Sequence, residues 1–83
     1  MDSGAFIKIF EFAKDNNLTV EIKYHNHDNS YFLMFTDSDY LNIATYISAD
    51  ILNQVLDKYV YLNYIINNLL KELKEKSDEI LHQ

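Results

Sequence analysis

The sequence predicts an α+β fold: an N-terminal helix, a three-stranded antiparallel meander, and a long C-terminal helix packed on the sheet. Three observations carry this expectation. Apolar residues recur at helical spacing towards both ends of the chain, at Phe6, Ile9, Phe10 and Ala13 and again from Val55 to Ile80. Between them, two runs alternate apolar and polar residues as strands do. Polar clusters at Asn26–Ser30 and Asp37–Asp39 separate the runs, with residues whose side chains bond their own backbone.

Asp2-Ser3-Gly4 reads as a helix start, with Ser3 or Asp2 as the cap. Ile7 and Phe12 widen the apolar face. Asp15-Asn16-Asn17 ends the element, because Asn tolerates the left-handed conformation that closes many helices. Leu18 to His25 reads as a strand, with Leu18, Val20, Ile22 and Tyr24 opposite Thr19, Glu21, Lys23 and His25. A turn of about five residues leads to a second strand, Tyr31 to Thr36, and the pair forms a hairpin. Tyr31, Leu33 and Phe35 lie opposite Phe32 and Met34, so both faces of this strand are apolar. It is therefore expected to lie centrally, or with helices on one face and a partner on the other. Leu41 to Ile47 fits two readings. A helix would align Tyr40, Ile43, Ala44 and Ile47, whereas the β-branched Ile43, Thr45 and Ile47 favour a third strand.

From Ser48 to His82 the chain reads as one helix. Ser48 is the expected N-cap, and Asp50 lies near the positive end of the helix dipole. Val55, Tyr59, Leu62, Ile66, Leu69, Leu73 and Ile80 form the apolar stripe, and Glu72 with Lys76 is a supporting pair one turn apart. Such a helix is about 50 Å long, at ~1.5 Å per residue. A seven-residue strand spans only ~24 Å. The far half is thus expected to pack on a second copy through Ile66, Leu69, Leu73 and Ile80. The alternatives are a break at Asn67-Asn68 or Ser77-Asp78 that folds the end back, or fraying.

With 83 residues, the chain is read as a single domain spanning 1–83. It has no Cys and a single Gly, Gly4, so neither a disulfide framework nor a Gly-rich phosphate loop is expected. No basic and apolar leader and no apolar run of bilayer length is read, and the expected location is the cytoplasm. The net charge of −6 and the absence of Arg argue against direct nucleic-acid binding and against an anionic membrane surface.

His25-Asn26-His27-Asp28 is the most chemical-looking cluster, since two His and a carboxylate can share a metal ion. A solvated turn explains it more simply, and neither a metal nor a cofactor is expected. Asp37 and Asp39 resemble a cation pair, yet the stretch lacks the Gly and terminal Glu of a calcium loop. The three His lie in the first turn and at His82, so no nucleophile–base arrangement is read and no catalytic residue is assigned.

Between Lys23 and Lys58 there is no Lys, while Asp28, Asp37, Asp39, Asp50 and Asp57 all fall in that interval. They are expected to form an acidic surface suited to a basic protein. Tyr61 and Tyr64 are candidate partner-facing aromatics, because Tyr combines large area with one polar tip.

The sequence is rich in Asn and Tyr, and in this it resembles the short accessory proteins of AT-rich bacterial genomes and their phages. The resemblance is one of composition and covers no motif. It implies an inhibitor of a host nucleic-acid enzyme, such as a defence nuclease, acting in the host cytoplasm as a nucleic-acid mimic. The expected function is therefore a non-enzymatic interaction module, an acidic inhibitor or adaptor. The alternatives are a self-associating structural or assembly subunit and a metal-binding module using His25 and His27.

Overall fold

The structure, a computed structural model, describes residues 3–81. In chain order it contains α1 (Ser3–Asp15), β1 (Thr19–His25), β2 (Ser30–Thr36), β3 (Asn42–Ser48), α2 (Ala49–Gln54) and α3 (Lys58–Leu81). The strands form one antiparallel sheet in the order β1-β2-β3, so the doubly apolar strand is the central one, as its sequence predicts. The helices pack on one face of the sheet. The α+β class and the meander follow the expectation, and the stretch from 42 to 48 is a strand.

Helix α1 stops where Asn17 takes a left-handed φ of 56°. The Leu18 amide then reaches back to the Ala13 carbonyl at 2.8 Å and the Asn17 amide to the Lys14 carbonyl at 3.3 Å. These two bonds make a Schellman cap, which satisfies carbonyls the helix end would otherwise leave open. The cap turns Leu18 onto the core and starts β1. Of the predicted apolar face, Ile9 and Ala13 are buried, Phe6 and Phe12 are partly buried, and Ile7 and Phe10 are about half exposed. The possible cap Asp2 lies outside the described residues.

The β2–β3 loop is built by one side chain. Asp37 Oδ1 accepts from the amides of Asp39 and Leu41, at 2.9 and 3.0 Å. The Asp37 amide donates to the Leu41 carbonyl at 2.9 Å, and Tyr40 sits at φ 65°. The register runs without a bulge from Ser30 opposite Ser48 to Thr36 opposite Asn42. Leu33, Phe35 and Ile47 face the helices and, with Ile9, Leu52, Leu62, Ile66 and Leu69, form the core.

The C-terminal region departs from expectation. The chain from Ser48 is two helices, with a break at Val55–Asp57. Ser48 does cap the first, its Oγ accepting from the Ile51 amide at 3.3 Å. Asp57 caps the second, its Oδ1 accepting from the Tyr59 and Val60 amides at 3.0 and 3.1 Å. The weak points proposed at Asn67-Asn68 and Ser77-Asp78 lie inside continuous helix. The break shortens the rod: α3 has 24 residues, about 36 Å at ~1.5 Å each, within a molecule 42 Å long.

That shortening corrects the self-association surface. Ile66, Leu69 and Leu73 are buried in the chain's own interior, and of the four only Ile80 is exposed. Leu18 and Asp37, from the loops at the far end of the sheet, line a shallow groove together with Leu70 and Leu73. Glu72 and Lys76 do not pair. Lys76 Nζ donates instead to the Asn42 carbonyl at the edge of β3, at 3.1 Å.

Candidate functional site

The face of the sheet opposite the helices is open. Antiparallel pairing sets Lys23, Phe32 and Tyr46 in one row across the strands, with Glu21, Met34 and Ala44 in a neighbouring row. Alternation along each strand places these side chains on the face away from Leu33 and Phe35. His25, in the row nearest the hairpin tip, completes an aromatic cluster. Ring centroids lie 5.5 Å apart for His25 and Tyr46, 5.4 Å for Phe32 and Tyr46, and 6.3 Å for His25 and Phe32. The cluster is not a core. Tyr46 is 61% exposed, while Phe32 and Met34 are partly buried. On the same face Lys23 pairs with Glu21 at 3.0 Å, a contact between solvated side chains that adds little to stability.

At the same end of the sheet lie three of the five carboxylates singled out above. Asp28 is in the β1–β2 turn, Asp50 opens α2 directly after β3, and Asp57 caps α3. The turn and α2 are tied together, since Asn29 Nδ2 donates to Asp50 Oδ1 at 2.9 Å and Asn29 Oδ1 accepts from the Tyr24 hydroxyl at 2.6 Å. Asp37 and Asp39 lie in the β2–β3 loop, the length of a seven-residue strand away, about 23 Å. The expected acidic surface is thus divided between the two ends of the sheet. Asp37, Asp50 and Asp57 also hold backbone or side-chain donors, so they serve local structure as well.

The two candidate tyrosines are separated by helical geometry. Tyr61 packs partly buried against the core, and Tyr64 is 67% exposed on the outer side of α3. His27 is exposed in the turn, while His25 turns onto the sheet face against Phe32 and Tyr46. Among the described residues no three His, Cys, Asp or Glu side chains are grouped as metal ligands. His82 lies outside those residues. A groove of about 220 Å³ between α1 and α3 has Ile9, Leu62 and Ile66 as its floor and Lys8, Tyr59 and Asn63 at its rim, with no carboxylate or His. Among the described residues no helix is long and apolar enough to cross a membrane.

The sequence does not reveal the His25–Phe32–Tyr46 cluster, because its members come from three strands and meet only through the register. The apolar outer side of β2, Phe32 and Met34, is the one signal that points to it. Comparison with protein families, with curated proteins and with solved structures finds no match for this chain.

Proposed function

We propose that this protein is a non-enzymatic binding module that engages a basic protein through the hairpin end of its open sheet face. One observation carries the reading: an aromatic cluster of His25, Phe32 and the exposed Tyr46 stands at the same end of the sheet as Asp28, Asp50 and Asp57. Aromatic side chains supply contact area at little entropic cost, and flanking carboxylates select a positive surface. The net charge of −6 acts in the same direction at longer range. Proteins that handle nucleic acid carry such surfaces, since phosphates demand Lys and Arg. A ligand that occupies one excludes the nucleic acid, and the module then acts as an inhibitor. Because the carboxylates are split between two ends, the contact uses one end of the sheet instead of a long strip imitating a phosphate backbone.

The test is an affinity capture from nuclease-treated host extract, run in parallel with wild type, Tyr46→Ala and Asp28→Lys. The expected result is a basic protein retained at low salt by wild type, released by high salt, and displaced by added nucleic acid. Both variants should recover several-fold less of it. Equal recovery by all three would overturn the reading.

A further inference from the structure

We propose that the outer edge of β3 is a homodimer interface, where two copies pair their β3 strands antiparallel and join their sheets into one. This inference shares Tyr46 with the basic-partner reading but uses the backbone of β3 and no carboxylate, so a test at Ala44 distinguishes the two.

Hydrogen-bond alternation shows which groups of β3 are available. The Ala49 amide donates to the Asn29 carbonyl at 2.9 Å, just beyond the Ser30–Ser48 pair. The Asp37 amide donates to the Leu41 carbonyl at 2.9 Å, just beyond the Thr36–Asn42 pair. Both terminal pairs are therefore non-hydrogen-bonded ones, and the bonded pairs are Tyr31–Ile47, Leu33–Thr45 and Phe35–Ile43. It follows that Asn42, Ala44, Tyr46 and Ser48 direct their backbone groups away from β2. The Lys76 ammonium on the Asn42 carbonyl agrees, since it meets that oxygen on the outer side. Among the described residues no strand lies beyond β3.

Within its own sequence this edge lacks the usual guards, and the one charge that the described residues set against it, Lys76 of α3, engages only the Asn42 carbonyl at its end. Natural edge strands are kept from pairing by Lys and other charged residues, Pro, bulges or a short length. Asn42–Ser48 has seven residues, none charged and none Pro, in an unbroken register. The other edge, β1, carries the exposed charges Glu21 and Lys23.

The edge is also self-complementary. A two-fold axis at Thr45 sets Asn42 opposite Ser48, Ala44 opposite Tyr46, and Thr45 opposite itself. The outward-directed residues then meet each other in hydrogen-bonded pairs, as antiparallel geometry requires. On the helix side the same register sets Ile43 opposite Ile47, continuing the apolar row, and on the open side the small Ala44 leaves room for the partner's large Tyr46 ring. Above the edge, Ile65 lies about three turns before Lys76 and hence on the same side of α3. Ile65 and Tyr61 are only partly buried in the single chain, and a second copy would cover them. A closed two-fold interface of this kind ends at the dimer, whereas pairing β3 to β1 would build an open chain.

The experiment measures mass by sedimentation from micromolar to millimolar protein, with residue-resolved amide exchange at both limits. The expected result is about twice the 9.8 kDa of one chain at high concentration, with the Ala44 and Tyr46 amides exchanging at least tenfold slower there than on dilution. Ala44→Pro removes an outward amide without touching the ladder to β2, and it should return the mass to that of one chain. Should that variant not fold, Ala44→Lys puts a charge on the edge with the same expected effect. A single-chain mass throughout would overturn the proposal. So would a dimer whose Ala44 and Tyr46 amides exchange as fast as on dilution, or growth beyond two copies.

Discussion

The Val60 amide donates to the Asp57 carboxylate at 3.1 Å, and this bond marks the point where the C-terminal region divides into two helices. Asp57 takes the role that Ser48 plays for α2.

Asp57→Ala removes the acceptor for two amides of the first turn of α3. It should lower stability by about 1 kcal/mol. Asp57→Asn keeps an acceptor oxygen and should lie within a few tenths of wild type. Urea unfolding of the three proteins checks this, and an unchanged midpoint for Asp57→Ala would show that the cap contributes nothing.

Leu73 is buried by its own chain, at 3% exposure. Leu73→Ala should therefore cost about 2–5 kcal/mol, the range for deleting a buried leucine side chain. Leu69→Asp combined with Leu73→Asp should abolish the folded state, seen as loss of cooperative thermal unfolding. If that double variant stayed folded and only its mass fell, the two leucines would belong to an interface.

Ser30 Oγ is buried and has no hydrogen-bond partner. Leaving a buried hydroxyl unsatisfied costs about 1–3 kcal/mol, so Ser30→Ala should raise the stability by a measurable part of that sum. A lower melting temperature for Ser30→Ala would reveal a bond that the hydroxyl makes in solution.

Tyr40 holds a left-handed φ of 65° with its side chain 86% exposed. A non-Gly, non-Asn residue there bears a backbone cost of about 1 kcal/mol. Tyr40→Asn should relieve part of it and raise the melting temperature, with calorimetry as the check.

Asp39 is exposed at the end of the sheet away from Tyr46, whereas Asp28 is at the near end. Asp39→Lys should leave the affinity for a basic partner within about twofold, because at physiological ionic strength a charge ~20 Å distant is largely screened. Asp28→Lys should weaken it several-fold. Titration by calorimetry separates the two, and equal losses would mean that net charge alone governs binding.

Several features are legible in local sequence because they depend on neighbours along the chain. Asn17 sits where a left-handed residue must end α1. The Asp37-Ser38-Asp39 cluster makes the loop that bonds its own backbone. Alternation in β1 and β2 gives the hairpin, and the two apolar faces of Phe32–Phe35 give the central position of β2. Ser48 and Asp50 mark a helix start.

The remaining features depend on what the periodic segments meet. The apolar stripe at Leu62, Ile66, Leu69 and Leu73 predicts a buried helix face, but periodicity is blind to whether the cover is the same chain or another. The packing of α3 within the chain decided that, since Leu62, Ile66, Leu69 and Leu73 are all buried in the single copy. Likewise, the sequence alone set Asp28, Asp37 and Asp39 in turns and Asp50 at a helix start, whereas Asp57 lay inside the helix expected from Ser48 and became a cap only through the break. Only the tertiary structure placed Asp37 and Asp39 at one end of the sheet and the other three at the end where His25, Phe32 and Tyr46 meet. The physical reason is that successive turns of a meander lie at opposite ends of its strands, so residues close in sequence are held a full strand length apart.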